Sequence, residues 1–145
     1  MIGRLTLLIL LLLTFPTLSL ALGKPENVLV VQNTNSPVST RIAAYYMSAR
    51  GVPAGNLVSI STVDSSLSSS NEIVTYANYL SQIETPVRNY MSSHGLTDSV
   101  QYIVLTKGVP HRILAEVTGG ASGGQSVDSM LAAIDLVDPL RIAFE

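Results

Sequence analysis

The sequence carries few charged side chains, and several of them gather where chemistry is conceivable. Charged residues make up 12% of the chain, against 47% apolar. Lys107-Gly108-Val109-Pro110-His111-Arg112 places an ammonium, an imidazole and a guanidinium just after an apolar run. Asn33-Thr34-Asn35-Ser36 closes another apolar run and offers amides and hydroxyls, and Asp128 adds a carboxylate at the start of the last helical stretch. Asn35, Ser36, Lys107, His111, Arg112 and Asp128 are therefore the candidate site residues. Each also has a simpler role. Asn35 and Ser36 are the residue types that cap helices, Asp128 complements a helix dipole, and His111 beside Arg112 suits a solvated loop.

Three further patterns have plainer explanations. Ser126, His111 and Asp128 contain the residue types of a hydrolytic triad, but no nucleophile-elbow pattern surrounds the serine. Gly119-Gly120-Ala121-Ser122-Gly123-Gly124-Gln125-Ser126 has the glycine spacing of a phosphate-binding loop, yet Gln125 stands where the lysine is required. A flexible Gly/Ser loop is the reading we adopt. His94, His111 and the scattered aspartates show no metal-ligand spacing, so no metal site is expected and no cofactor is implied. With no Cys, the chain has no disulfide, no thiolate metal site and no catalytic thiol.

The elements that must position these residues are set by periodicity. Asn27 to Asn33 is a short, near-continuous β-branched run of the kind found in buried parallel strands. Ser36-Pro37 then starts a helix, whose stripe is Val38, Ile42, Tyr45, Tyr46 and Ala49, closed by Gly51 and Pro53. Asn56 to Ser61 is a second strand, completing a right-handed βαβ unit. Ser65 to Ser70 reads as an exposed loop. Glu72 to Ser93 reads as helical, with a break or kink at Pro86 and Thr85 capping the second piece. Val100 to Thr106 is the third strand, Ile113 to Val117 a short one, and Ser126 opens a last helix bearing Val127, Met130, Leu131 and Ile134. The six Tyr residues fall mostly at apolar helical positions, where packing explains them.

This order predicts an α/β fold: three αβα layers around a mainly parallel sheet that begins in the order 2-1-3. In such a sheet a ligand binds outside the carboxyl ends of the strands where the order reverses. That point lies between the loops 33–36 and 107–112, which is why their residues are the leading candidates.

The N-terminus has its own logic. Arg4, the run Leu5 to Leu13, and Ser19-Leu20-Ala21 form a charged, then apolar, then small-residue series, the pattern of a secretory signal over residues 1–21. The apolar run is short for a membrane span of about 20 residues, so no stable span is expected after cleavage. An uncleaved anchor is the alternative. The domain then occupies residues 24–145. The formal charge of −2 becomes about −3 without Arg4. That mild acidity leaves no basic footprint for nucleic acid. Partners would be sought at the cell envelope or outside the cell. The apolar run from Pro139 to Phe144, and a sheet edge left open, suggest the N-terminal part of a longer protein.

Several stretches together resemble an uncharacterised family of exported bacterial proteins found in genomes with exosortase (PEP-CTERM) sorting systems. They are Pro25 to Val31, Ala44-Tyr45-Tyr46, Arg50 to Pro53 with Asn56-Leu57, Pro86 to Tyr90, Tyr102 to Pro110, and Ser126 to Ser129. The resemblance spans nearly all of the chain after the signal. It implies an envelope or extracellular accessory role and brings no catalytic residues, since the family has no established activity. The succession of a strand, Gly108-Val109-Pro110 and Ser126-Val127-Asp128-Ser129 is also similar to the non-catalytic half of caspase- or gingipain-like cysteine peptidases. The fold expected is accordingly flavodoxin-like or caspase-like. A small-molecule or glycan binding domain is the third reading.

Overall fold

Val28–Asn33 (β1) forms the middle of the molecule because it is apolar on both faces and paired on both edges. The computed structural model describes residues 23–114 and 124–134. Leu57–Ile60 (β2) lies parallel to β1 with Val30 opposite Leu57 and Asn33 opposite Ile60. On the other edge Tyr102–Leu105 (β4) is also parallel, with Val28 opposite Tyr102 and Val31 opposite Leu105. The spatial order is thus β2-β1-β4, the predicted 2-1-3 arrangement.

Successive β1 residues serve opposite layers, as the pleat requires. Val30 faces Ala43 and Val52, with Tyr46 and Met47 packed around them. Leu29 and Val31 face the other way and join Ile83, Val87, Met91, Val127 and Leu131 in the larger core. Leu29, Val30 and Val31 are completely buried, each contributing about 1.5–3 kcal/mol of transfer free energy. Helices cover both faces, so the architecture is the three-layer αβα one.

The first helix, Pro37–Arg50 (α1), begins as predicted. Ser36 is extended, its Oγ accepts from the Ser39 N–H at 3.2 Å, and Pro37 takes the first turn. Gly51 at φ +66° closes it, in the left-handed conformation that glycine adopts without cost. The buried face differs from the expected stripe. Ser39 and Ala43 are buried, whereas Tyr45 is 76% exposed and Ile42 and Ala49 also face outward. The helix is turned so that a serine, rather than an isoleucine, meets the sheet.

The segment after the serine loop departs further from expectation. Ile73–Thr75 is a strand, β3, and not the first turn of a helix. Thr75 caps the next helical segment, its Oγ1 accepting from the Asn78 N–H at 3.2 Å. Tyr76–Tyr79 (α2), a π segment at Leu80–Glu84, and Thr85–Ser93 (α3) then run on without a break. Thr85 is helical rather than a cap, and its N–H reaches back five residues to the Leu80 carbonyl. Pro86 has no N–H to give, and the wider π turn ahead of it absorbs the mismatch. Glu84, buried at the end of that turn, meets Arg88 at 3.2 Å, and Arg88 also donates to the Ile134 carbonyl.

A second, small sheet is not expected from the sequence, although one of its strands falls where the short strand at Ile113 is expected to start. β3 runs parallel to Arg112–Leu114 (β5), and β5 pairs antiparallel with Gln125–Ser126 (β6). Val127–Ala132 (α4) comes next, capped by Ser126, whose Oγ accepts from the Ser129 N–H at 3.3 Å. The signal segment at 1–21, the positions 115–117 of the expected short strand, the Gly-rich stretch through Gly123, and the run from Pro139 lie outside the described residues. Among the described residues no helix is long and apolar enough to cross a membrane.

Candidate functional site

At the carboxyl end of β1 the chain commits its polar groups to itself. Asn33 is fully buried. Its Nδ2 donates to the carbonyls of Thr62 at 3.2 Å, Val63 at 3.0 Å and Gly108 at 2.8 Å. Its Oδ1 accepts from the N–H groups of Asn35 at 3.1 Å and Thr62 at 3.2 Å. One amide thus joins three loops, with its donors and lone pairs all in use.

A hydroxyl relay completes the lock. The Asn33 N–H donates to Ser39 Oγ at 2.8 Å. Thr106 Oγ1 donates to the Val31 carbonyl at 3.0 Å, so the 2.5 Å contact between Ser39 and Thr106 has Ser39 as donor. Gly108, at φ +107°, lies so close to α1 that a Cβ there would stand 2.4 Å from Ser36 Oγ. The switch point between β1 and β4 is therefore filled by protein. Asn35 belongs to this lock as well, its Nδ2 donating to Ser61 Oγ at 3.1 Å and the Thr62 carbonyl at 2.9 Å. Ser36 is its buried helix cap.

Next to the lock a cleft of about 290 Å³ opens at the end of β4, close to the lower size limit of ligand sites. Leu105 and Val109 give it an apolar floor. Lys107, His111 and Glu72 bring charge, and Ser65 and Thr106 bring hydroxyls. The hydroxyls are occupied, with Ser65 Oγ donating to the Val109 carbonyl at 2.9 Å. That leaves Lys107, with the adjoining His111 and Glu72, to meet a ligand. His111 is held firmly by its backbone: its N–H donates to the Glu72 carbonyl at 3.1 Å, and its carbonyl accepts from Val127 at 3.0 Å. Its Nε2 stands 4.0 Å from Glu72 Oε2.

The structure thus brings Lys107 and His111 into one cleft and puts Asn35 and Ser36 in the adjoining lock. Arg112 is exposed at the start of β5, opposite Ile73 on one side and Ser126 on the other. Asp128 is exposed in the first turn of α4. The Ser126 hydroxyl holds the Asp128 carboxyl below its ordinary pKa, with backbone hydrogen bonds and a smaller electrostatic contribution from nearby His111 adding to the effect against a desolvation cost. Ser126 Oγ also lies 2.8 Å from Ser129 Oγ, and among the described residues no imidazole is hydrogen-bonded to it. Among the described residues no three His, Asp or Glu side chains converge as metal ligands.

Two carboxylates escape a reading of the sequence. Glu72 is hidden inside a stretch with helical spacing. Asp64 is hidden beside the serine run, although Asp with a Ser two residues later is a pattern that makes local turns. Asp64 is 7% exposed. Its Oδ1 accepts from Ser66 Oγ at 2.6 Å and the Ser66 N–H at 2.8 Å. Hydrogen bonds from Ser66, aided by Ser36, outweigh burial and hold the carboxyl below its ordinary pKa. Comparison with family models, characterised proteins and solved structures found no match to this chain.

Proposed function

We propose that this chain is an exported accessory protein of the bacterial envelope or cell exterior that binds a small polar ligand in the cleft at the end of β4. The observation that carries the binding role is the meeting of Lys107, His111 and Glu72 over the apolar floor of Leu105 and Val109. A charge-poor chain concentrates its charge there. Export is supported by Arg4, the leucine run and Ser19-Leu20-Ala21. The envelope role and a link to exosortase-type sorting are supported by the family resemblance of Tyr102 to Pro110 and the stretches that accompany it.

A thermal-shift screen of small polar metabolites and short glycans tests the binding role, because a ligand specific to the native state raises the melting temperature. Hits lost on Lys107→Ala support it, and a blank screen counts against it. Mass analysis of protein recovered from the producing cell tests export: processing near Ala21 is expected, and cytoplasmic protein retaining Met1 counts against it.

A second reading draws on one contact. His111 stands 4.0 Å from Glu72 at the carboxyl end of a parallel sheet, a place from which an imidazole could act as a general base, although the peptidase resemblance is to a non-catalytic half and assigns it no such role. The sequence holds no Cys, so the nucleophile would come from elsewhere. Peptide hydrolysis that disappears on His111→Ala supports this reading, and hydrolysis unaffected by that change eliminates it.

A further inference from the structure

We propose that the ligand of this cleft is the carboxyl end of an extended peptide that adds to the sheet as a strand parallel to β4. The inference rests on the cleft being the binding site and adds what it binds.

Among the described residues β4 pairs with β1 alone, so no described strand covers its outer edge. Tyr102 is 51% exposed and Ile103, Val104 and Leu105 are half-buried, whereas their β1 partners Leu29, Val30 and Val31 are completely buried. α4 joins the core on the face bearing Leu29 and Val31. Protected edges carry lysines, glutamates or prolines, and Val100 to Thr106 contains none of them. Strand addition suits such an edge: main-chain hydrogen bonds supply affinity and side-chain pockets supply selectivity.

Charge sets the direction. A strand parallel to β4 ends beside Leu105, where the cleft opens. Its last side chain then meets Leu105 and Val109, and its terminal carboxylate meets the exposed Lys107. The antiparallel alternative would bring a terminal ammonium to Lys107, a like-charge contact, while Glu72 is turned toward His111 at 4.0 Å.

The test is fluorescence anisotropy with the full chain and two labelled peptides, Thr-Val-Thr-Val-Thr-Val with a free carboxylate and its carboxamide. The free acid is expected to bind roughly tenfold tighter, since charge-assisted hydrogen bonds are the stronger kind. Lys107→Met, an exposed change, is expected to abolish that difference. Equal binding of acid and amide, or discrimination that survives Lys107→Met, overturns the proposal. So does a concentration-dependent dimer in sedimentation that excludes peptide, since the edge would then belong to a second copy. If neither peptide binds but a small molecule raises the melting temperature through Lys107, the peptide is wrong and the cleft remains. If nothing binds, both fall.

Discussion

The Asn33 side chain donates a 2.8 Å hydrogen bond to the Gly108 carbonyl, 75 residues further along the chain. This contact ties the end of β1 to the loop that leaves β4 and so fixes the near wall of the cleft. In many α/β folds a ligand enters at this position. Here the chain occupies it, and the available space lies one loop further on.

Asn33→Ala should therefore be among the most damaging single substitutions. It removes the donors to three buried or part-buried carbonyls and the acceptor of two N–H groups. With about 1–3 kcal/mol for each buried group left unsatisfied, we expect a loss of about 3–5 kcal/mol. Urea unfolding monitored by circular dichroism would read it, and a change under 1 kcal/mol would contradict the account of the lock.

Gly108→Ala tests close approach rather than hydrogen bonding. The added methyl would stand 2.4 Å from Ser36 Oγ and 2.7 Å from Ser36 Cβ, on a backbone at φ +107°. Strain and overpacking together should cost about 2–4 kcal/mol. Gly55, where a Cβ meets nothing within 4 Å, is the matched control and should tolerate alanine within about 0.5 kcal/mol.

Acid should weaken the loop after β2 through Asp64. Its folded pKa is depressed, chiefly by the Ser66 hydroxyl, so its contribution is present above the unfolded value of about 3.9. It is lost as the pH falls through the lower folded value. Asp128, also depressed, acts with the same sign. Urea midpoints measured from pH 6 down to pH 2 should fall for the parent chain and fall less for Asp64→Asn; parallel curves would refute the role given to Asp64.

Lys107→Ala and His111→Ala should separate binding from stability. Both side chains are exposed, so the folding free energy should move by no more than about 0.5 kcal/mol. Ligand-induced thermal shifts should nevertheless shrink or vanish. Loss of folding in either variant would show that the cleft charges serve the structure instead.

The main sheet is legible in the sequence because β1 and β4 are nearly continuous apolar runs and β2 a short apolar-rich one, with a helix clearly capped at Ser36 and Gly51 between β1 and β2. The small sheet is not. Ile73, Tyr76 and Ala77 recur at helical spacing, and a strand of three residues carries too little pattern to compete. The face of α1 defeats a hydropathy reading because Ser39 is buried for its hydrogen bonds to Asn33 and Thr106, whereas hydropathy credits only apolar residues. Of the site, Lys107 and His111 stand out as charges after a strand. Glu72 and Asp64 depend on contacts distant in sequence or on turn geometry, which no local pattern reveals.

The placement of β1 also bears on how the molecule is made. The strand leaves the ribosome before either neighbour, yet one of those neighbours, β4, is encoded some 75 residues later. Ala43 and Val52 can shelter Val30 early, but Leu29 and Val31 belong to a cluster that includes Val127 and Leu131, and sheets closed by such distant pairing form slowly. The segment that ends most deeply enclosed is the one that waits longest uncovered, and the nascent chain is most adhesive over that stretch.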